Sequence, residues 1–343
     1  MDAFLALLSG ILIALMVAAN GGLSERYGVF WAAVVIHAVG AAFAYALCRL
    51  KKEDRPAKRL PVWLYLGGII GVMTTVFDNF AFGRISVTAI VALGLVGQSA
   101  ASLVLDGFGL FGQQKRPLSR YAAPGLVCAG AGIALMLRGQ DASSAAAVTL
   151  AAAAGVTVVL SRTVNARLSG NVGAMRASFV NHLTGLPVTL LLAAAVSSAP
   201  ALAGSGPVRP WIYAGGLLGV AVVYLCNLAV PRVPALRFSL LSAAGQLLAG
   251  AALDALPGGQ FSGASFRAGL LIAGGLLASR WLEARAARRA VAERAYWGRI
   301  REAEYRHRRD VYGSAGSGGY DSSSTRRSIS ARKASITEET CSF

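Results

Sequence analysis

A helix needs about 20 predominantly apolar residues to cross roughly 30 Å of hydrocarbon, and this sequence supplies ten such runs in succession. They lie at approximately 3–23, 28–48, 62–83, 86–107, 120–137, 146–166, 173–196, 211–231, 234–254 and 265–281. Polar or turn-forming segments divide them, among them Lys115-Arg116-Pro117 and 204–210. The first run reads as a span and not as a signal peptide, because Met1-Asp2 is not a basic region and the apolar stretch is too long for a signal core. Only 14% of the 343 residues are charged, against roughly 25% in soluble domains. That is too few to coat a water-facing surface. The expected fold class is therefore an all-α membrane protein with ten transmembrane helices. Cys48, Cys128, Cys226 and Cys341 are scattered and lack metal-ligand spacing, which excludes a disulfide scaffold and a zinc ribbon.

Orientation follows from the loop cations. With a cytoplasmic N-terminus, fifteen Lys/Arg fall on the cytoplasmic side of the spans and five on the other. The fifteen include Arg162, Arg167, Arg176 and Arg280; the five are Arg26, Arg84, Arg138, Arg209 and Arg267. Both termini are expected in the cytoplasm, with the plasma membrane as the expected location. Residues 283–312 alternate Arg with helix formers and read as a basic juxtamembrane helix facing anionic lipid. Residues 313–343 are Gly/Ser-rich and read as a disordered cytoplasmic tail. Ser328 and Ser335 follow basic pairs, as basophilic kinases prefer, so a kinase acting on the tail is an expected partner. The alternative is an unmodified, solvated tail. The formal charge of +17 is accounted for by cations beside a membrane, and no nucleic-acid partner is expected.

The chain is also an internal duplicate. Trp63-Leu-Tyr65-Leu-Gly67-Gly68-Ile-Ile-Gly71 recurs as Trp211-Ile-Tyr213-Ala-Gly215-Gly216-Leu-Leu-Gly219, 148 residues later. The same offset pairs Asn79 with Asn227, Gly97-Gln98 with Gly245-Gln246 and Leu105-Asp106 with Leu253-Asp254. Nearer the start of each half the offset is 145, pairing Asn20 with Asn165 and His37 with His182. Repeats at 1–138 and 146–282 follow, each with five spans. An odd number of spans forces the second repeat to lie inverted in the membrane, an architecture that gives transporters two equivalent conformations.

The Asn-x-x-Leu, Gly-Gly-x-x-Gly, Gly-Gln and Leu-Asp pattern in each half resembles the YdcZ-type exporters of the drug/metabolite transporter superfamily. The resemblance covers approximately residues 5–282, and the second half departs from it after Asp254. It implies a drug/metabolite transporter-like fold of two inverted five-helix repeats and efflux of a small molecule. The small multidrug exporters of that superfamily use a glutamate in the first span for proton and cation exchange. Spans one and six here hold no acidic residue, so that mechanism is not carried over.

Polar groups at membrane depth are costly and face the bundle interior or a pathway. His37, Gln98, His182 and Gln246 fall near mid-span and are the candidates for substrate binding, with satisfaction of a backbone group at a helix crossing as the alternative for each. Asn20, Asn79, Asn165 and Asn227 lie nearer span ends as gate or capping groups. Asp78 is the carboxylate placed within a span; it is a candidate for coupling, or is neutralised by Arg84. Asp106 and Asp254 fall at membrane ends, where capping accounts for them.

The favoured function is a multi-pass secondary transporter, exporting a small metabolite or organic cation by alternating access. No catalytic set, metal site or cofactor is expected, so the chain is read as not an enzyme. The competing classes are a channel-like pore and a non-transporting scaffold or receptor with a regulatory basic tail. The expected partners are a small-molecule substrate and the lipid bilayer, with the chain a monomer or homodimer.

Overall fold

The computed structural model describes residues 2–51, 60–112, 120–137, 142–197, 209–229, 235–256 and 262–314. Among the described residues ten α-helices follow one another: α1 (Asp2–Tyr27), α2 (Val29–Lys51), α3 (Leu66–Ala81), α4 (Val87–Phe108), α5 (Ala123–Leu137), α6 (Ala142–Val172), α7 (Ala174–Val196), α8 (Gly215–Ala229), α9 (Ala235–Asp254) and α10 (Gly263–Ser314). Seven of them, α1–α4 and α6–α8 with their lead-in turns, are long and apolar enough to cross a membrane, and α5 is a shorter apolar helix. The chain divides into two units, Met1–Ala284 and Arg285–Phe343. In the second, the described part is the final stretch of α10, most of whose side chains as far as His307 are exposed, with a surface pair between Arg306 and Glu302 at 2.6 Å. Ser328 and Ser335 lie outside the described residues.

The duplication is visible in local structure. Gly28 alone joins α1 to α2, and Gly173 alone joins α6 to α7. Both have left-handed φ, +78° and +84°, where a side chain would be strained. Short 3-10 turns at Val62–Tyr65 and Pro210–Ala214 lead into α3 and α8. These four features are spaced by the two repeat offsets.

Contacts show that the two elbows lie at opposite ends of the bundle. At the Gly28 end, Asn79 near the end of α3 donates to the carbonyl of Val29 at 3.3 Å, and Ser24 donates to that of Asn79 at 3.2 Å. The lead-in turn of α3 lies at the Gly173 end instead, where Leu64 packs with Leu168, Val172 and Ala177. The counterpart cluster, Leu23, Ala32, Ile36 and Ile212 with Tyr27 against it, closes the Gly28 end. Leu23 and Leu168, one repeat apart, are both fully buried. A helix that spans from one elbow to the other, between two mirrored clusters, is what inverted repeats require.

Glycines carry the interface between the halves, as small residues do where apolar helices meet in lipid. A Cβ on Gly97 of α4 would strike the carbonyl of Ala152 of α6; one on Gly245 of α9 would strike that of Leu7 of α1. Gly155 of α6 lies on the Gly94 carbonyl, and its counterpart Gly10 of α1 lies on that of Ser242. Each contact recurs with the halves exchanged, the pattern of a two-fold interface.

Candidate substrate pathway

The two candidate histidines meet on this pseudo-two-fold axis. The His37 ring on α2 and the His182 ring on α7 have centroids 5.9 Å apart, inclined at 51°. His37 lies over Gly185, and His182 over Gly40. Each Nδ1 lies 2.9 Å from the carbonyl four residues earlier, of Ala33 and Ser178 respectively. Both rings are buried, and both belong to the α2–α7 crossing.

The glutamines lie elsewhere. A small, partly open cavity of about 90 Å³ is lined by Gln98, Ser99 and Ser102 of α4, Arg162 of α6, Ser242 and Gln246 of α9, and Arg280 of α10, with Leu95, Val159, Ala243, Ala273, Leu276 and Leu277 as its apolar wall. Gln246 is buried and donates to Ser242 Oγ at 3.3 Å and to the Ser242 carbonyl at 3.4 Å. Gln98 is half-buried. Thus, of the four candidate binding residues, the cavity brings together the glutamine pair, one from each half; the histidine pair is not among its lining.

Toward the Gly28 end an apolar core continues from this cavity. Val17, Ala81, Val87, Ile90, Leu93, Val148, Ala268 and Ile272 are buried together there, with Leu276 packed against them. At the tip, Asp254 at the end of α9 turns its carboxylate onto the start of α4. Its two oxygens accept from the backbone N–H groups of Val87 and Thr88, each at 2.8 Å. Ser86 adds an N-cap, accepting from Ala89 N–H at 3.1 Å. A carboxylate at a helix N-terminus satisfies donors that have no partner in the helix and opposes the positive end of the dipole. The side chain of Asp106, its counterpart, lies outside the described residues.

The asparagines divide into two pairs. Asn79 and Asn227 act within their own halves, Asn227 donating to the carbonyl of Ala174 at 3.2 Å just as Asn79 does to that of Val29. Asn20 and Asn165 reach across instead, against Gly215 and Gly67 of the opposite halves. Asn165 also donates to Asn181 Oδ1 at 2.7 Å. Asp78 is half-buried on α3, one residue before Asn79, and is not among the cavity lining.

Arg162, Arg280 and the three serines are cavity residues that sequence reasoning did not single out. A signal for Arg162 was present: at the offset of 145 its counterpart is Val17, so a cation inside a span replaces an apolar residue of the other half.

Comparison with known proteins agrees with this architecture. No curated protein matches the chain significantly. A solved structure titled only "Crystal structure of protein" is similar at a TM-score of 0.54 and 19% identity, covering 82% of this chain and 97% of its own; it supports the fold alone. The family described as "Putative inner membrane exporter, YdcZ" matches twice, over residues 2–135 and again over 146–279. With two matched units in tandem, each coinciding with one of the interlocked five-helix halves, the chain belongs to the YdcZ family of membrane exporters within the drug/metabolite transporter group.

Proposed function

We propose that the protein is a secondary transporter that exports a small polar metabolite by alternating access, with the cavity between α4, α6, α9 and α10 as its substrate site. The observation that carries this reading is the cavity itself: it is partly open, is lined by the symmetry-related Gln98 and Gln246, and gives way toward the Gly28 end to a packed apolar core capped by Asp254. The loop-charge bias favours a cytoplasmic position for the Arg162 and Arg280 side of the cavity, and in the proposed cycle this is the state that loads cargo for export.

Inverted repeats supply the opposite state. In it the halves exchange roles, the Gly28 end opens, and Asp106 takes up the start of α9 at Ala235 and Leu236, the positions that correspond to Val87 and Thr88. The glutamines face the substrate in both states because they are each other's counterparts. Amide side chains donate and accept, so they hold a polar solute without demanding a fixed charge from themselves.

Reconstitution of the full chain into liposomes tests this reading. Saturable flux of a small metabolite driven by its own gradient, with counterflow, is the expected result. Unsaturable conductance would establish a pore, and absence of flux across a broad metabolite mixture would favour a scaffold.

A further inference from the structure

The charge on the cavity wall narrows the cargo. Arg162 and Arg280 are the ionised groups among the described lining residues. Arg280 is engaged by Glu283 at 3.4 Å, which offsets part of its charge. Arg162 makes no ion pair or hydrogen bond with any described residue, and it is half-buried. At the repeat offset of 145 its position corresponds to Val17, inside the first apolar run at 3–23. A cation within a span ordinarily faces an aqueous cavity and marks a pathway. Apolar walls of low dielectric focus its field into the space they enclose.

From these observations we propose that the cargo is a small organic anion, whose oxyanion group is drawn to Arg162 at the cavity mouth while Gln98, Gln246 and the serine hydroxyls hold its neutral polar part. The proposal rests on the transport reading above and specifies its substrate class. Guanidinium presents a fork of N–H donors that suits a carboxylate or phosphate oxygen pair. Ser99, Ser102 and Ser242 add hydroxyl donors on α4 and α9. An organic cation would meet the same field as repulsion. Because Arg162 corresponds to Val17 in the first half, the attraction acts on the open end described here and has no duplicate at the other. Anion capture is thereby built into one face of the transport cycle.

The field can be read without knowing the cargo. In a full-length, detergent-solubilised chain with Cys48, Cys128, Cys226 and Cys341 replaced by serine or alanine, a reporter thiol is introduced as Ser99→Cys, and separately as Ser242→Cys. Each is reacted with two methanethiosulfonate reagents of similar size, an anionic sulfonatoethyl and a cationic trimethylammonioethyl compound. Rates are normalised to those of free 2-mercaptoethanol, so the ratio cancels each thiol's own reactivity. The expected ratio favours the anion by about tenfold, as a unit charge several ångströms away in a partly desolvated site would give. Arg162→Gln should bring the ratio close to one, and Arg162→Lys should retain most of it. A ratio at or below one in the parent background at both reporter positions would overturn the proposal, as would a preference unchanged by Arg162→Gln in a monodisperse protein. Failure of the transport reading would show up separately, as an absence of flux with the anion preference intact.

Discussion

The carboxylate of Asp254 and the backbone of Thr88 are joined across the two halves of the chain, Oδ2 accepting from the amide N–H at 2.8 Å while Oδ1 does the same for Val87. The last residue of α9 thereby ties down the first turn of α4 at the Gly28 end of the bundle. In the proposed alternating-access cycle this bond is made in one state and broken in the other. Bistable elements of this kind convert small local changes into a switch.

Asp254→Ala is expected to leave both amide groups without their acceptor. An unsatisfied buried donor costs about 1–3 kcal/mol, so the melting temperature should fall by several degrees. The seal should also loosen: a reporter cysteine at Val91 should label faster with a membrane-impermeant thiol reagent applied from the Gly28 end. Asp254→Asn retains one acceptor and should fall between. Asp106→Asn is expected to act on the opposite state, leaving Val91→Cys labelling unchanged or slower.

Gln98→Ala and Gln246→Ala are each expected to lower saturable flux about tenfold without loss of membrane insertion, equivalent to about 1.4 kcal/mol of binding. Comparable effects are expected because the two residues occupy equivalent positions. Wild-type transport by the double variant would remove the cavity as the route.

Gly40→Ala drives a methyl group into the His182 ring, and Gly185→Ala does the same to His37. Overpacking in a filled interior typically costs about 1–3 kcal/mol. Each change alone should lower thermal stability, and His182→Ala combined with Gly40→Ala should recover much of the loss, a non-additivity expected of residues in direct contact. Equal melting temperatures for Gly40→Ala and the parent chain would show that the two halves do not meet on these rings.

A chain ending at Ala284 should retain transport, because the cavity and the mirrored clusters lie wholly within residues 1–284. Its association with vesicles containing anionic lipid should weaken relative to the full chain, as basic juxtamembrane residues contribute about 1 kcal/mol each near such a surface. Sedimentation of proteoliposomes of matched composition reports the first property by flux; co-flotation of detergent-solubilised protein with added vesicles reports the second.

Much of this architecture was legible because duplication writes the same polar residues twice. Asn79 and Asn227 share an offset with Gln98 and Gln246, and an odd span count then dictates inversion. Less visible was which of the paired residues share a space. His37 and His182 fall at mid-span just as the glutamines do, yet a helix crossing is decided by the small residue opposite. Gly40 and Gly185 look like any other glycine in an apolar run until a ring is found lying on them. Asp254 could be read as a capping group from its place at a span end, but the helix it caps belongs to the other half. That pairing depends on long-range register, which no local pattern carries. Arg162 was counted among the loop-side cations, and depth within α6 is what distinguishes it.

Val17 and Arg162 are the same position in two copies of one ancestral unit, the first buried in the apolar core and the second on the cavity wall. In an antiparallel dimer of identical five-helix subunits, any arginine there would appear in both vestibules, and a charge that helps solute enter from one compartment would hold it back on leaving toward the other. Joining the units in a single polypeptide removes that constraint. Under the proposed cycle each vestibule can be tuned on its own, so that loading and release become separately adjustable steps within an otherwise mirrored framework.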